Sequence, residues 1–88
     1  MKNTYIITYD IPDGEDYPAL YEYFKSHGTW AHVAESVWAI KTEKSAETIR
    51  EEVLGKVSST STVFVIKSGV EAAWSNVVCR NQWLLDNL

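Results

Sequence analysis

At 88 residues the chain is one domain, and a domain of this size buries only about 60–65% of the surface its unfolded chain exposes. One cysteine, Cys79, excludes an internal disulfide, and no Cys/His cluster has zinc-site spacing. A net charge of −4, with only eight scattered Lys and Arg, counts against strong electrostatic binding to a nucleic-acid duplex.

Four Trp, five Tyr and two Phe are a heavy aromatic load for so short a chain. Each can bury about 150–250 Å². That is more than one small core is expected to hide, which points to a dimer interface. Met1-Lys2-Asn3 leads straight into an alternating strand with no apolar signal region. The longest apolar runs fall far short of a membrane span. The expected location is the cytoplasm, with Cys79 reduced and no membrane partner.

Thr4–Asp10 reads as the first strand. Tyr5, Ile7 and Tyr9 share one side; Ile6, Thr8 and Asp10 share the other. Pro12-Asp13-Gly14 is a turn signal. Asp16 is a helix N-cap and Pro18 sits in the first turn, where its missing N–H costs little. The first helix is expected to run to about His27, with Tyr17, Leu20, Tyr21 and Phe24 as its apolar face and Gly28 ending it.

Trp30–Ala34 and Ser36–Thr42 read as an antiparallel pair with a tight junction near Glu35-Ser36. Trp38 and Ile40 share one face; Val37 and Ala39 share the other. Ser45 caps the second helix, whose stripe is Ala46, Ile49, Val53 and Val57. Gly55 weakens its last turn by about 1 kcal/mol relative to Ala. After the polar loop at 58–61, Thr62–Lys67 is the fourth strand, with Val63 and Val65 opposed to Phe64 and Ile66.

The order is βαββαβ. It predicts an α+β, ferredoxin-like fold: a four-stranded antiparallel sheet, two helices on one face, the other face bare. A bare apolar face wants a partner. The tail, residues 70–88, is a C-terminal extension. Trp74, Val77, Val78, Leu84, Leu85 and Leu88 lie near helical spacing, which reads as one or two short helices with room for a brief fifth strand.

TYDIP (8–12), the Tyr- and Leu-bearing helix ending at Gly28, and AESVWAIKT (34–42) resemble the small CRISPR-associated endoribonucleases and the related VapD toxins. EDYPALYEYF (15–24) and EAAWSNVVCRNQWLLDNL (71–88) resemble small bacterial SinR-like proteins. The resemblance implies a ferredoxin-like homodimer in which the first-strand Asp of each protomer meets its mate near the two-fold axis. By that likeness Asp10 is a catalytic carboxylate that binds Mg²⁺ or Mn²⁺, Ser36 is a second catalytic residue close by, and RNA or DNA is the substrate. A CRISPR integrase or an antitoxin is then a partner. The chain departs from the family where Arg or Lys usually follow the Asp: here stand Asp13, Glu15 and Asp16. That departure supports a second reading, a structural or regulatory dimer that keeps the scaffold without binding nucleic acid.

Read without the resemblance, each candidate has a plainer role. Asp10 is the start of an Asx-type turn before Pro12. Tyr9 is a core or interface aromatic, and Ser36 a hairpin-junction residue. His27 is a helix-end residue and His32 a strand-surface one. Glu35 is a solvated strand-edge charge rather than a second metal carboxylate. Cys79 has no neighbouring Lys or His to lower its pKa and reads as a buried structural thiol. Trp74 and Trp83 could stack bases. With Arg80 the lone cation near them, hydrophobic docking is the simpler reading.

Overall fold

A computed structural model of the chain describes residues 2–12, 17–69 and 71–88. The turn signal at Asp13-Gly14, the Asp16 cap and the acidic residues Asp13, Glu15 and Asp16 lie outside the described residues. The elements in chain order are β1 (Asn3–Asp10), α1 (Tyr17–Lys25), β2 (Trp30–Ala34), β3 (Val37–Thr42), α2 (Ala46–Leu54), β4 (Thr62–Lys67) and α3 (Asn81–Asn87). The four strands form one antiparallel sheet in the order β2-β3-β1-β4.

Strand alternation decides which side chains meet the helices. Tyr5, Ile7 and Tyr9 from β1 and Trp38 and Ile40 from β3 form the core with Leu20 and Phe24 of α1 and Ile49 and Val53 of α2. Val63 and Val65 of β4 pack against the same core. Both long helices therefore cover one face. Most of the aromatic load is spent here: Phe24 stacks on Trp38 at 5.1 Å, and Tyr17, Tyr21, Tyr23 and Trp30 pack around the core. The chain hides far more of its aromatic surface than composition led us to expect. The exception is Phe64, which stays more than half exposed.

Local chemistry closes α2 at Gly55, whereas α1 stops at Lys25, two residues short of the expected end near His27. Ser45 caps α2, its Oγ accepting from Thr48 N–H at 3.1 Å. Gly55 closes the helix, so Val57 reaches the core from beyond the helix end. Gly28 has φ +84°, the left-handed value that favours glycine after a helix. His27 lies two residues past α1, and its Nδ1–H donates to Tyr23 O at 3.0 Å.

The tail forms one seven-residue helix, α3, and there is no fifth strand among the described residues. A single backbone bond, Val78 N–H to Val33 O at 2.8 Å, ties it to β2. The tail also corrects the expectation of a wholly bare face. Thr4 Oγ donates to Asn87 O at 2.6 Å, and Lys41 Nζ donates to Asn87 Oδ1 at 3.5 Å. Both residues lie on the face away from the core. Leu84 is buried outside the main core, and the cross-strand pair Ala31 and Ala39 is buried on the same side. Among the described residues, the β1–β4 half of that face stays open. Among the described residues no helix is long and apolar enough to cross a membrane.

Candidate functional site

Asp10 is the last residue of β1 and is exposed. It lies opposite Thr62 of β4, as Thr8 lies opposite Phe64 and Ile6 opposite Ile66. Alternation puts Ile6, Thr8, Asp10, Thr62, Phe64 and Ile66 on the open half of the sheet. Phe64 is 56% exposed and Ile66 51%. Asp10 makes no side-chain hydrogen bond or ion pair with any described residue. Its plainer role is weakened by chemistry: an Asx turn closed on residue 12 needs an N–H there, and Pro12 has none.

Ser36 lies in the two-residue turn between β2 and β3, one position short of the strand it was expected to open. That turn comes up against the end of β1. Tyr9 N–H donates to Ser36 O at 3.2 Å, and the Tyr9 hydroxyl donates to Glu35 O at 3.4 Å. Ser36 is thus bonded through its backbone to the residue before Asp10. Tyr9 itself points into the core and stacks against Phe24 at 6.1 Å, and burial holds its phenol well above the ordinary range. Glu35 is exposed, with its carbonyl accepting from both Tyr9 and His32.

The other candidates sit elsewhere. His32 is on the helix side of β2 rather than on an open strand surface: its ring stacks on Trp38 at 4.3 Å and 11°, and Nε2–H donates to Glu35 O at 3.2 Å. His27 is packed edge-on against Tyr23, with Nε2 buried and unpartnered. Cys79 is half-buried in the tail, and burial pushes its thiol up. Trp74 and Trp83 are also half-buried in the tail. The residues whose importance was missed are Phe64 and Ile66. Their signal was present in the alternation of TVFVIK, which leaves two large apolar groups opposite the core-facing valines.

No group of three or more His, Cys, Asp or Glu side chains able to hold a metal occurs among the described residues. A hard cation such as Mg²⁺ asks for less, one or two carboxylates with water and substrate oxygens completing its shell. Asp10 fits that limited demand as an exposed oxygen donor with no partner among the described residues. Comparison with protein-family models, curated proteins and solved structures finds no match to this chain.

Proposed function

We propose that the chain is a ferredoxin-like homodimer, joined through the open β1–β4 half of its sheet, that acts as a metal-dependent endoribonuclease of the CRISPR-associated or VapD type. The element order and the strand order β2-β3-β1-β4, with both long helices on one face, support the ferredoxin-like reading. One observation carries the functional part: an exposed, unpaired Asp10 ends the apolar strip of Ile6, Phe64 and Ile66. A strip of that kind favours a partner surface, and a two-fold axis near its end brings the two Asp10 carboxylates together.

In this reading Asp10 holds Mg²⁺ or Mn²⁺, which when bound supplies an activated water and neutralises charge at the scissile phosphate. The chain's own part is positional. The Tyr9–Ser36 backbone bond fixes the turn beside the end of β1, and the Ser36 hydroxyl is the neutral donor offered to a phosphate oxygen. The substrate is RNA, with DNA the alternative. A CRISPR integrase or an antitoxin is the partner class, in the cytoplasm.

A second reading, a non-catalytic structural or regulatory dimer, is favoured by a different observation. The strand ends and turn around Asp10, residues 8–12, 34–37 and 60–64, contain no Lys or Arg to grip a phosphate backbone. Wild type and Asp10→Asn incubated with single-stranded RNA and DNA, with Mg²⁺ or Mn²⁺ against chelator, separate the two. The endoribonuclease reading expects metal-dependent cleavage by wild type alone. No cleavage by wild type leaves the second reading standing, and equal cleavage by both removes Asp10 as the catalyst.

A further inference from the structure

A second site lies away from Asp10. A cleft of about 350 Å³ runs between β2 and the C-terminal tail, lined by Trp30 and His32 from the strand and by Val78, Cys79, Arg80 and Trp83 from the tail. Its size is at the low end of small-ligand sites, about 300–1,000 Å³. It is remote from Asp10. Trp30 pairs with Ile40 and Ile40 with Tyr5, and Tyr5 is five residues, or about 17 Å of strand, from the end of β1.

The lining has one chemical character. Two indoles and Val78 provide apolar walls. His32 is already committed, stacked on Trp38 and hydrogen-bonded to Glu35 O. The single charged side chain is Arg80, which is exposed and makes no hydrogen bond or ion pair with any described residue. It precedes α3 and provides no side-chain cap. In a chain of net charge −4, an unpaired guanidinium that shares a cleft with two indoles, over one of which (Trp30) Lys25 Nζ also sits at 5.4 Å, is a local inversion of the molecule's charge. Guanidinium groups bind carboxylate and phosphate oxygens in pairs, and indole faces take flat rings.

We infer that the cleft between β2 and the tail binds a small planar aromatic anion, its ring against Trp30 and Trp83 and its anionic group on Arg80. The anion is a carboxylate or a phosphate. The inference does not depend on the nuclease reading, because neither Arg80 nor the two indoles belong to the Asp10 region.

Matched probes test it by titration of the full chain, followed through the indole N–H resonances. The first pair is 2-naphthoate and its neutral amide, 2-naphthamide; the second is AMP and adenosine. The expected result is saturable binding of at least one anion, with shifts centred on Trp30 and Trp83. The neutral mate binds about tenfold more weakly, the loss of one charge-assisted hydrogen bond. Arg80→Gln, at an exposed position, lowers the anion's affinity to that of the neutral mate and leaves the rest of the spectrum unchanged. Preference for naphthoate assigns a carboxylate ligand and preference for AMP a phosphate one. Absence of saturation by both anions, equal affinity for anion and neutral mate, or an Arg80→Gln protein that binds as wild type overturns the inference.

Discussion

The Tyr23 hydroxyl on α1 donates to Glu52 Oε1 on α2 at 2.7 Å, and Lys44 Nζ donates to the same oxygen at 2.8 Å. Two helices that meet the sheet through apolar faces are thus joined to each other by one carboxylate. The bond from Lys44, then that from Tyr23, hold Glu52 below the ordinary carboxylate range. Burial first, and the bond to Glu52 second, raise Tyr23. A depressed native pKa stabilises the fold fully above the unfolded glutamate value, about pH 4.3, and that contribution fades as pH falls through the native value. Glu52 is more than a third exposed, so the effect is small, below about 1 kcal/mol. Glu52→Gln is expected to lower stability slightly in urea melts at pH 7, with the difference shrinking as pH falls below about 4.3. A difference that stays constant down to the lowest pH at which the protein remains folded would show that charge is not what Glu52 contributes.

The two described helix-end glycines are expected to respond in opposite directions to alanine. Gly55 has φ −72°, open to any residue, and an added Cβ would meet Glu52 O at an ordinary 3.4 Å. Gly55→Ala is expected to stabilise by about 0.5–1 kcal/mol, largely by restricting the unfolded chain. Gly28 has space around it but a φ of +84°. Gly28→Ala is expected to destabilise by about 1–2 kcal/mol through backbone strain alone. Denaturant midpoints for both variants check the pair.

Docking of the tail gives a third expectation. Leu84 is 2% exposed, although it belongs to a seven-residue helix that could not persist by itself. Leu84→Ala is expected to cost about 2–4 kcal/mol. The neighbouring Leu85, 65% exposed, is expected to tolerate alanine within about 0.5 kcal/mol. Equal effects at the two positions in chemical denaturation would mean that the tail is not held through Leu84.

The contrast between Leu84 and Phe64 shows where the sequence was readable. Period-two alternation in TYIITYD and TVFVIK sorted Tyr5, Ile7 and Tyr9 from Ile6, Thr8 and Asp10, and Val63 and Val65 from Phe64 and Ile66, because a strand has only two faces. The Ser45 cap and the Gly28 stop were legible for the same local reason. The tail was not. Its docking rests on Thr4 with Asn87 and Val33 with Val78, contacts far apart in the chain that leave no periodic trace. One clue was available: small Ala31 and Ala39 on the outer face leave room for an element to approach. His32 is half-exposed on β2, but an isolated histidine between apolar residues gives no sign of the ring it packs on. In the fold it shares the face of Trp30 and stacks on Trp38. For the site, alternation reaches only as far as the common face of Asp10, Phe64 and Ile66. In the proposed dimer, what meets that face lies on another chain, and no pattern within one chain describes it.

That face supplies the last prediction. Phe64 and Ile66 are exposed side by side with Ile6, and burying them against a second copy is the expected source of association. Light scattering at micromolar concentration is expected to give a dimer mass, and Phe64→Asp a monomer with an unchanged circular dichroism spectrum. Asp10 should oppose this association when no cation is present. Two carboxylates brought to about 4 Å repel by about 4 kcal/mol at an effective dielectric of 20. Chelator is therefore expected to weaken the dimer, and Mg²⁺ to restore it. Asp10→Asn removes the repulsion and with it the response to metal, so that its dimer is equally tight in chelator and in Mg²⁺. A monomeric wild type sinks the dimer. A wild-type dimer indifferent to metal keeps the interface but separates the two Asp10 side chains from its axis.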